Sequence, residues 1–146
     1  MESESYKRIK NINDCDTSGF IFDWPELSSL GIVIGAFSAN KLVGLIVFAR
    51  HPDKQYLFNE VFNIEVLESY QHKGLGARLL ALVMIDSENN NFEGYVQLKS
   101  KTNGVQDFYF HLGAGDNGGQ RMLFETEASA NVIEKYLPQG GYVHGL

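Results

Sequence analysis

At 146 residues the chain has the length of one domain, and 44% hydrophobic against 21% charged residues excludes an extended disordered tract. A formal net charge of −6 argues against a polyanionic nucleic acid as partner, because phosphate binding recruits a surplus of Lys and Arg. No run is long enough to span a bilayer, MESESYKRIK lacks a signal-peptide core, and a single cysteine, Cys15, excludes an internal disulfide. The expectation is one cytoplasmic domain over residues 1–146, with no membrane or nucleic-acid partner. The acidic balance tilts it toward cationic small molecules or basic peptides.

In chain order, Tyr6–Ile12 reads as a weak strand, followed by polar and aromatic residues up to Trp24-Pro25. Ile32–Ser38 and Leu42–Arg50 are apolar runs joined by Ala39-Asn40, the pattern of a hairpin. After a His51-Pro52-Asp53 turn, Leu57–Leu67 reads as a third strand, so the three suggest a meander. From Gly74 to about Ser87, Leu75, Leu79, Leu82 and Val83 recur at helical spacing, with Leu80, Met84 and Ile85 beside them. Tyr95–Lys101 follows as a strand, and Thr102-Asn103-Gly104 turns into a short helix reaching Leu112-Gly113. Gly113–Gly119 reads as a loop, Met122–Thr126 as a strand, Ser129–Leu137 as a helix capped by Ser129, and the tail as a last short strand. This is a mixed α/β order, with strands first and helices packed on them.

The chemistry concentrates in Gln71-His72-Lys73-Gly74-Leu75-Gly76 at the start of the long helix. Gly76 is followed by Ala77-Arg78, not by the Lys-Ser/Thr of a P-loop, and bulky Leu79 stands where a dinucleotide fingerprint needs a small residue. The pattern Q/R-x-x-G-x-G/A fits at every position. The first N–H groups of a helix lack intrahelical acceptors, and the helix dipole adds positive charge there. Glycines at 74 and 76 let the backbone approach a pyrophosphate, with His72, Lys73 and Arg78 adding charge around it.

Together with Asn103-Gly104-Val105-Gln106-Asp107-Phe108-Tyr109-Phe110-His111-Leu112-Gly113, this turn resembles the GNAT superfamily of N-acetyltransferases over about residues 32–114. The resemblance implies a mixed, mostly antiparallel central sheet flanked by helices. It places the cofactor turn between the third meander strand and the long helix. It implies acetyl-coenzyme A as co-substrate, without a metal. The acceptor would be a primary amine of a small molecule or peptide, attacking directly in a ternary complex. By position, Gln71, His72, Lys73, Gly74, Leu75, Gly76 and Ala77 would hold the pyrophosphate. Val66 and Leu67 would bond the pantetheine arm and thioester carbonyl through backbone, Asn103 would contact the pantetheine arm, and Tyr109 would protonate the departing thiolate. The family often forms dimers, which allows a homodimer here.

An alkyl amine with a pKa of about 10.4 is neutral only about once in a thousand near pH 7, so transfer needs a base. Strict alternation puts Phe58, Glu60, Phe62, Ile64 and Val66 on one face, with Glu60 its only charge and Glu65 on the other face beside Asn59 and Asn63. An apolar setting disfavours the carboxylate anion and tunes it toward accepting a proton. Glu60 also lies eleven residues before Gln71, the spacing of the base in the histone-acetylating branch of the family. Two readings stay open for Glu60: the base, acting directly or through water, or a water-facing glutamate on an irregular strand. His51, His72, His111 and His144 lack metal-ligand spacing. Where the family usually has a strand and two helices before the meander, only about thirty residues precede Ile32 here. Ala114 replaces a common aromatic, and the closing segment differs. These departures touch the acceptor side, and a non-catalytic acyl-coenzyme A-binding module is the rival reading.

Overall fold

The computed structural model describes residues 3–52, 55, 57–99 and 105–146. Four strands in succession, β1 (Glu4–Ile9), β2 (Ile32–Ser38), β3 (Lys41–Pro52) and β4 (Leu57–Val66), form an antiparallel meander. Between β1 and β2 lie a short 3-10 turn (Ile12–Asp14) and a single helical turn, α1 (Trp24–Leu27). The next strand, β5 (Val96–Lys99), runs parallel to β4, so the chain must cross over, and α2 (Leu75–Asn89) is that crossover. Helix α3 (Val105–His111), the hairpin strands β6 (Gly115–Asp116) and β7 (Arg121–Phe124), α4 (Thr126–Tyr136) and β8 (Val143–His144) complete the order. Their sheet runs β6-β7-β5-β4-β3-β2-β1-β8, the mixed, mostly antiparallel arrangement expected from the sequence.

Helix α2 is buried on nearly all sides because Leu75, Leu79, Leu80, Leu82, Val83 and Met84 leave it little polar surface. It lies on one face of the sheet against Ile34, Ile46, Phe48, Val61, Val96 and Phe124. A Cβ at Gly44 would stand 3.0 Å from Leu79, which is how closely the helix approaches β3. The opposite face carries a second cluster: Ile9, Ile12, Trp24, Val33, Leu42, Leu45 and Val47.

Several expectations shift. The first strand is Glu4–Ile9, not Tyr6–Ile12, because Ile12 turns inward on the 3-10 turn. His51 and Pro52 belong to β3 and are not in a turn. The strand expected at Tyr95–Lys101 is described as Val96–Lys99, and residues 100–104 lie outside the described residues. Gly115–Asp116 pairs with β7 inside the segment expected to be loop. Ser129 does not cap its helix: it lies within α4, fully buried, donating its Oγ–H to the Gly94 carbonyl at 2.5 Å.

The main departure is a bulge in β4. Phe48 pairs with Val61 and Val47 with Asn63, so Phe62 is an extra residue without a partner on β3. A bulge flips side-chain parity beyond it. Before it, Asn59 and Val61 face α2. After it, Ile64 and Val66 do. Phe62 stays with Glu60 on the Trp24 face, as expected, but Glu65 joins them there while Ile64 and Val66 leave it, which corrects the strict alternation expected from the sequence. Glu65 is opposite neither Glu60 nor Phe62, and Asn59 is.

The start of β4 is pinned to α2 by Asp86. Its carboxylate, 4% exposed, accepts from Arg50 Nε (2.9 Å), Arg50 Nη2 (2.6 Å) and Asn59 Nδ2 (3.0 Å). Asp86→Ala should cost about 3 kcal/mol, near the low end for breaking a buried pair because Arg50 can still reach water. A urea midpoint within error of wild type would contradict this.

Candidate active site

Among the described residues, pairing between β4 and β5 covers Asn59–Val61 against Val96–Leu98, and only Lys99 of β5 follows. From Phe62 to Val66 the β5 side of β4 therefore has no paired strand among the described residues, which leaves a split on that side. The Leu67 N–H donates to the Val43 carbonyl, which directs its backbone toward β3. By alternation, Ile64 and Val66 present their N–H and C=O groups to the split instead. Asn63 Oδ1 accepts the Ile64 N–H at 2.8 Å, and Gln71 Nε2 donates to the Val66 carbonyl at 2.9 Å. The Val66 N–H faces the split. Leu67 is buried, with its N–H spent on β3 and its carbonyl accepting from the Tyr70 N–H, so both of its backbone groups are used within the chain.

The turn from Gln71 to Ala77 sits at the mouth of this split. His72 (φ 64°) and Gly74 (φ 82°) are left-handed, and Gly74 precedes α2 without any side-chain cap. The first helical bond is Arg78 N–H to the Gly74 carbonyl, so the N–H groups ahead of it point out of the helix end. No acidic residue occupies the first turn. Lys73 and Lys41 place ammonium groups 5.6 and 5.7 Å from the Tyr70 ring centroid, flanking the turn with positive charge. Among the described residues a Cβ at Gly76 would meet only Phe108 Cζ, at 3.6 Å, which leaves room there for a ligand against the backbone. These features fit a pyrophosphate, held by backbone dipoles with cations at the rim.

Arg78 has a different place from the one expected. Its Nε and Nη2 donate to the Glu4 carboxylate at 2.7 and 2.8 Å, and Nη1 donates to the Lys73 carbonyl at 3.0 Å. The Tyr6 hydroxyl donates to the same carboxylate. Arg78 thus ties β1 to the turn and is not a free charge beside it. A Cβ at Gly74 would lie 3.0 Å from Arg78 Nη1, in a conformation that side chains rarely adopt. Gly74→Glu should therefore weaken acetyl-coenzyme A binding by at least about a hundredfold, about 2.7 kcal/mol. Unaltered affinity in calorimetry would remove the turn from the cofactor site.

Tyr109 lies on α3, whose neighbouring residue Phe108 reaches over Gly76. Its side chain is buried in the α2-side core, and burial pushes its phenol up to about 12. Asn103 lies outside the described residues.

Glu60 is on the other side of the sheet, paired with Gln97 one row before the last described β4–β5 pair. Its setting is not the apolar one expected. The side chain is 32% exposed, and His51 Nε2 lies 2.8 Å from Oε1 at ion-pair distance, off the line of a hydrogen bond. The neighbouring carboxylate, Glu65, is fully engaged: it accepts from Ile21 N–H (2.7 Å), Phe22 N–H (3.3 Å) and Trp24 Nε1 (2.7 Å). Glu65 clamps the segment before β2 onto β4, and Trp24 is completely buried. Of the two carboxylates that β4 places on this face, Glu60 is the accessible one. Sequence reasoning missed His51, since its only neighbourhood signal was a strand pairing still unknown.

The base candidate and the phenol thus stand on opposite faces of the sheet, with the split beside both. Among the described residues no three His, Cys, Asp or Glu side chains are grouped to hold a metal, and no helix is long and apolar enough to cross a membrane.

A family model described as "Acetyltransferase (GNAT) family" matches residues 3–114. No curated protein sequence matches the chain. Among solved structures, AtaTR bound with acetyl-coenzyme A is similar at TM-score 0.68 and 13% identity, over 89% of this chain and 98% of that one. AtaT complexed with acetyl-methionyl-tRNAfMet is similar at TM-score 0.67 and 12% identity, over 90% and 99%. A Bacillus subtilis acetyltransferase in complex with coenzyme A is similar at TM-score 0.61 and 18% identity, over 84% and 99%.

Proposed function

Since the chain belongs to the GNAT acetyltransferase family and is an acetyl-coenzyme A-dependent acetyltransferase, we propose that it acetylates a primary amine of a small molecule or peptide by direct attack in a ternary complex. The observation that carries this reading is the stretch of β4 past Val61 that has no paired strand among the described residues, with Gln71 of the Gln71–Ala77 turn bonded to its Val66 carbonyl. Acetyl-coenzyme A supplies an activated acyl group on a thiol leaving group.

The residues of the chain divide the remaining work. Backbone N–H groups from His72 to Ala77 hold the pyrophosphate, and the Val66 N–H anchors the pantetheine arm along β4. Asn103 is proposed to contact the same arm, whereas Leu67 supports β4 from its β3 side. Glu60, directly or through a water, takes the proton from the acceptor ammonium, and His51 holds the carboxylate in place. Positioned acid-base groups of this kind contribute about 10²–10⁴-fold. From the opposite face Tyr109 delivers a proton to the departing sulfur, and burial keeps its phenol neutral until needed.

The net charge of −6 supports a cationic acceptor and opposes a nucleic acid. The similarity to AtaT with acetyl-methionyl-tRNAfMet favours a second reading, an amine carried by charged tRNA. A cytoplasmic setting belongs to the same proposal. The test is release of coenzyme A thiol from acetyl-coenzyme A with an amine panel, and with aminoacylated tRNA alongside. Thiol release that tracks an acetylated amine supports the proposal. Release only with tRNA transfers it to the second reading, and binding without release for any acceptor overturns both.

A further inference from the structure

The Trp24 face of the sheet carries more than Glu60. Register places Gln97 beside Glu60, and Leu123 beside Gln97, in one row across β4, β5 and β7. Two residues further along each strand, on the same face, the same register aligns Phe58, Tyr95 and Glu125 in a second row. All five of the residues flanking Glu60 in these rows line one cavity of about 740 Å³, with Glu93 at its rim. Asn117 Nδ2 donates to Gln97 Oε1 at 3.1 Å, which fixes the amide standing between Glu60 and the cavity.

The chemistry of that cavity suits an ammonium group. Phe58 and Tyr95 offer partly exposed aromatic surface, and Glu93 and Glu125 offer carboxylates that pair with no cation among the described residues. Glu125 occupies the N-cap position of α4, yet its side chain makes no capping bond. Its carboxylate is therefore not consumed by the helix. From Glu60 to Glu125 the path crosses two strand spacings and two residues along the strand, about 12 Å between Cα positions.

We infer that this cavity is a second acceptor subsite, which takes the distal ammonium of a linear di- or polyamine whose reacting amine lies at Glu60. The inference rests on Glu60 as the reacting end and adds a substrate class: two cationic groups joined by a flexible chain of roughly the 12 Å that separates the two Cα positions. The aromatic row between them accommodates the methylenes, and Gln97 turns a polar group to the chain.

Spermidine and octylamine separate the possibilities, because octylamine has comparable reach and no second charge. Wild-type protein should show a kcat/KM for spermidine at least about tenfold above octylamine, a difference of about 1.4 kcal/mol. Glu125→Gln should raise the spermidine KM by about the same factor, with kcat and all octylamine kinetics unchanged. Glu93→Gln should act in the same direction. Equal constants for the two amines, or a spermidine KM unmoved by either substitution, overturn the subsite. Calorimetry of spermidine against the protein with coenzyme A bound gives a readout without turnover. Binding that Glu125→Gln weakens upholds the subsite even if nothing is acetylated, in which case the proposed chemistry at Glu60 falls instead. Octylamine turnover without any spermidine preference leaves that chemistry standing and removes the subsite.

Discussion

Glu60→Gln is expected to lower kcat by about 10²–10⁴-fold while leaving acetyl-coenzyme A affinity within about twofold of wild type. The amide keeps the size and polarity of the side chain but cannot take a proton from an ammonium. The site of change also lies on the Trp24 face, whereas the turn and the first turn of α2 lie at the mouth of the split. An effect on cofactor affinity would have to travel through β4 itself. Glu65→Gln serves as the contrast, because that carboxylate already accepts from Ile21, Phe22 and Trp24 and holds the segment before β2. Its loss should raise the acceptor KM and lower thermal stability, with kcat affected less than in Glu60→Gln. If the two glutamates exchange these behaviours, the base is misassigned.

Tyr109→Phe should lower kcat by about 10²-fold, the lower part of the range for a positioned acid, with the fold retained because the ring still fills the α2-side core. The pH dependence gives a sharper criterion. Burial raises the phenol from about 10 to about 12, so Tyr109 keeps its proton through the whole neutral range and loses it only as pH rises through about 12. Any alkaline limb seen below about pH 10 therefore belongs to another group, the acceptor amine being the first candidate. The Phe variant should show a lower plateau with its limbs unmoved. Disappearance of an alkaline limb in that variant would mean that Tyr109 titrates far below the value its burial sets.

The hairpin of β2 and β3, the long buried helix α2 and the Gln71–Ala77 turn were legible because each has a strong local signature. Ala39-Asn40 punctuates two apolar runs, the leucines of α2 recur at helical spacing, and the glycines at 74 and 76 break an otherwise continuous pattern. The bulge at Phe62 left no such mark. Residues on both sides of it are apolar or amide, so a one-residue slip in parity looks the same in the sequence as regular alternation. That slip moved Glu65 onto the face of Glu60 and gave the split Ile64 and Val66 as its lining. Ser129 misled for a related reason: its hydroxyl suits an N-cap, but the Gly94 carbonyl, 35 residues earlier, had the stronger claim on it. His51 beside Glu60 and the row of Phe58, Tyr95 and Glu125 depend on strand register across three non-consecutive segments, which no local pattern encodes. The family resemblance, by contrast, rested on two motifs in order, and the family model covers both.

The account turns on chemistry at Glu60 beside the split on the β5 side of β4, and a single-turnover experiment reaches that step directly. Protein preloaded with acetyl-coenzyme A is mixed rapidly with an amine found to be a substrate, and acetylated product is followed through the first turnover. The Glu60→Gln protein should be slowed in that turnover by the same factor as in steady state, with its acetyl-coenzyme A dissociation constant unchanged. A first turnover at the wild-type rate would contradict the account, because proton removal at Glu60 would then play no part in the transfer.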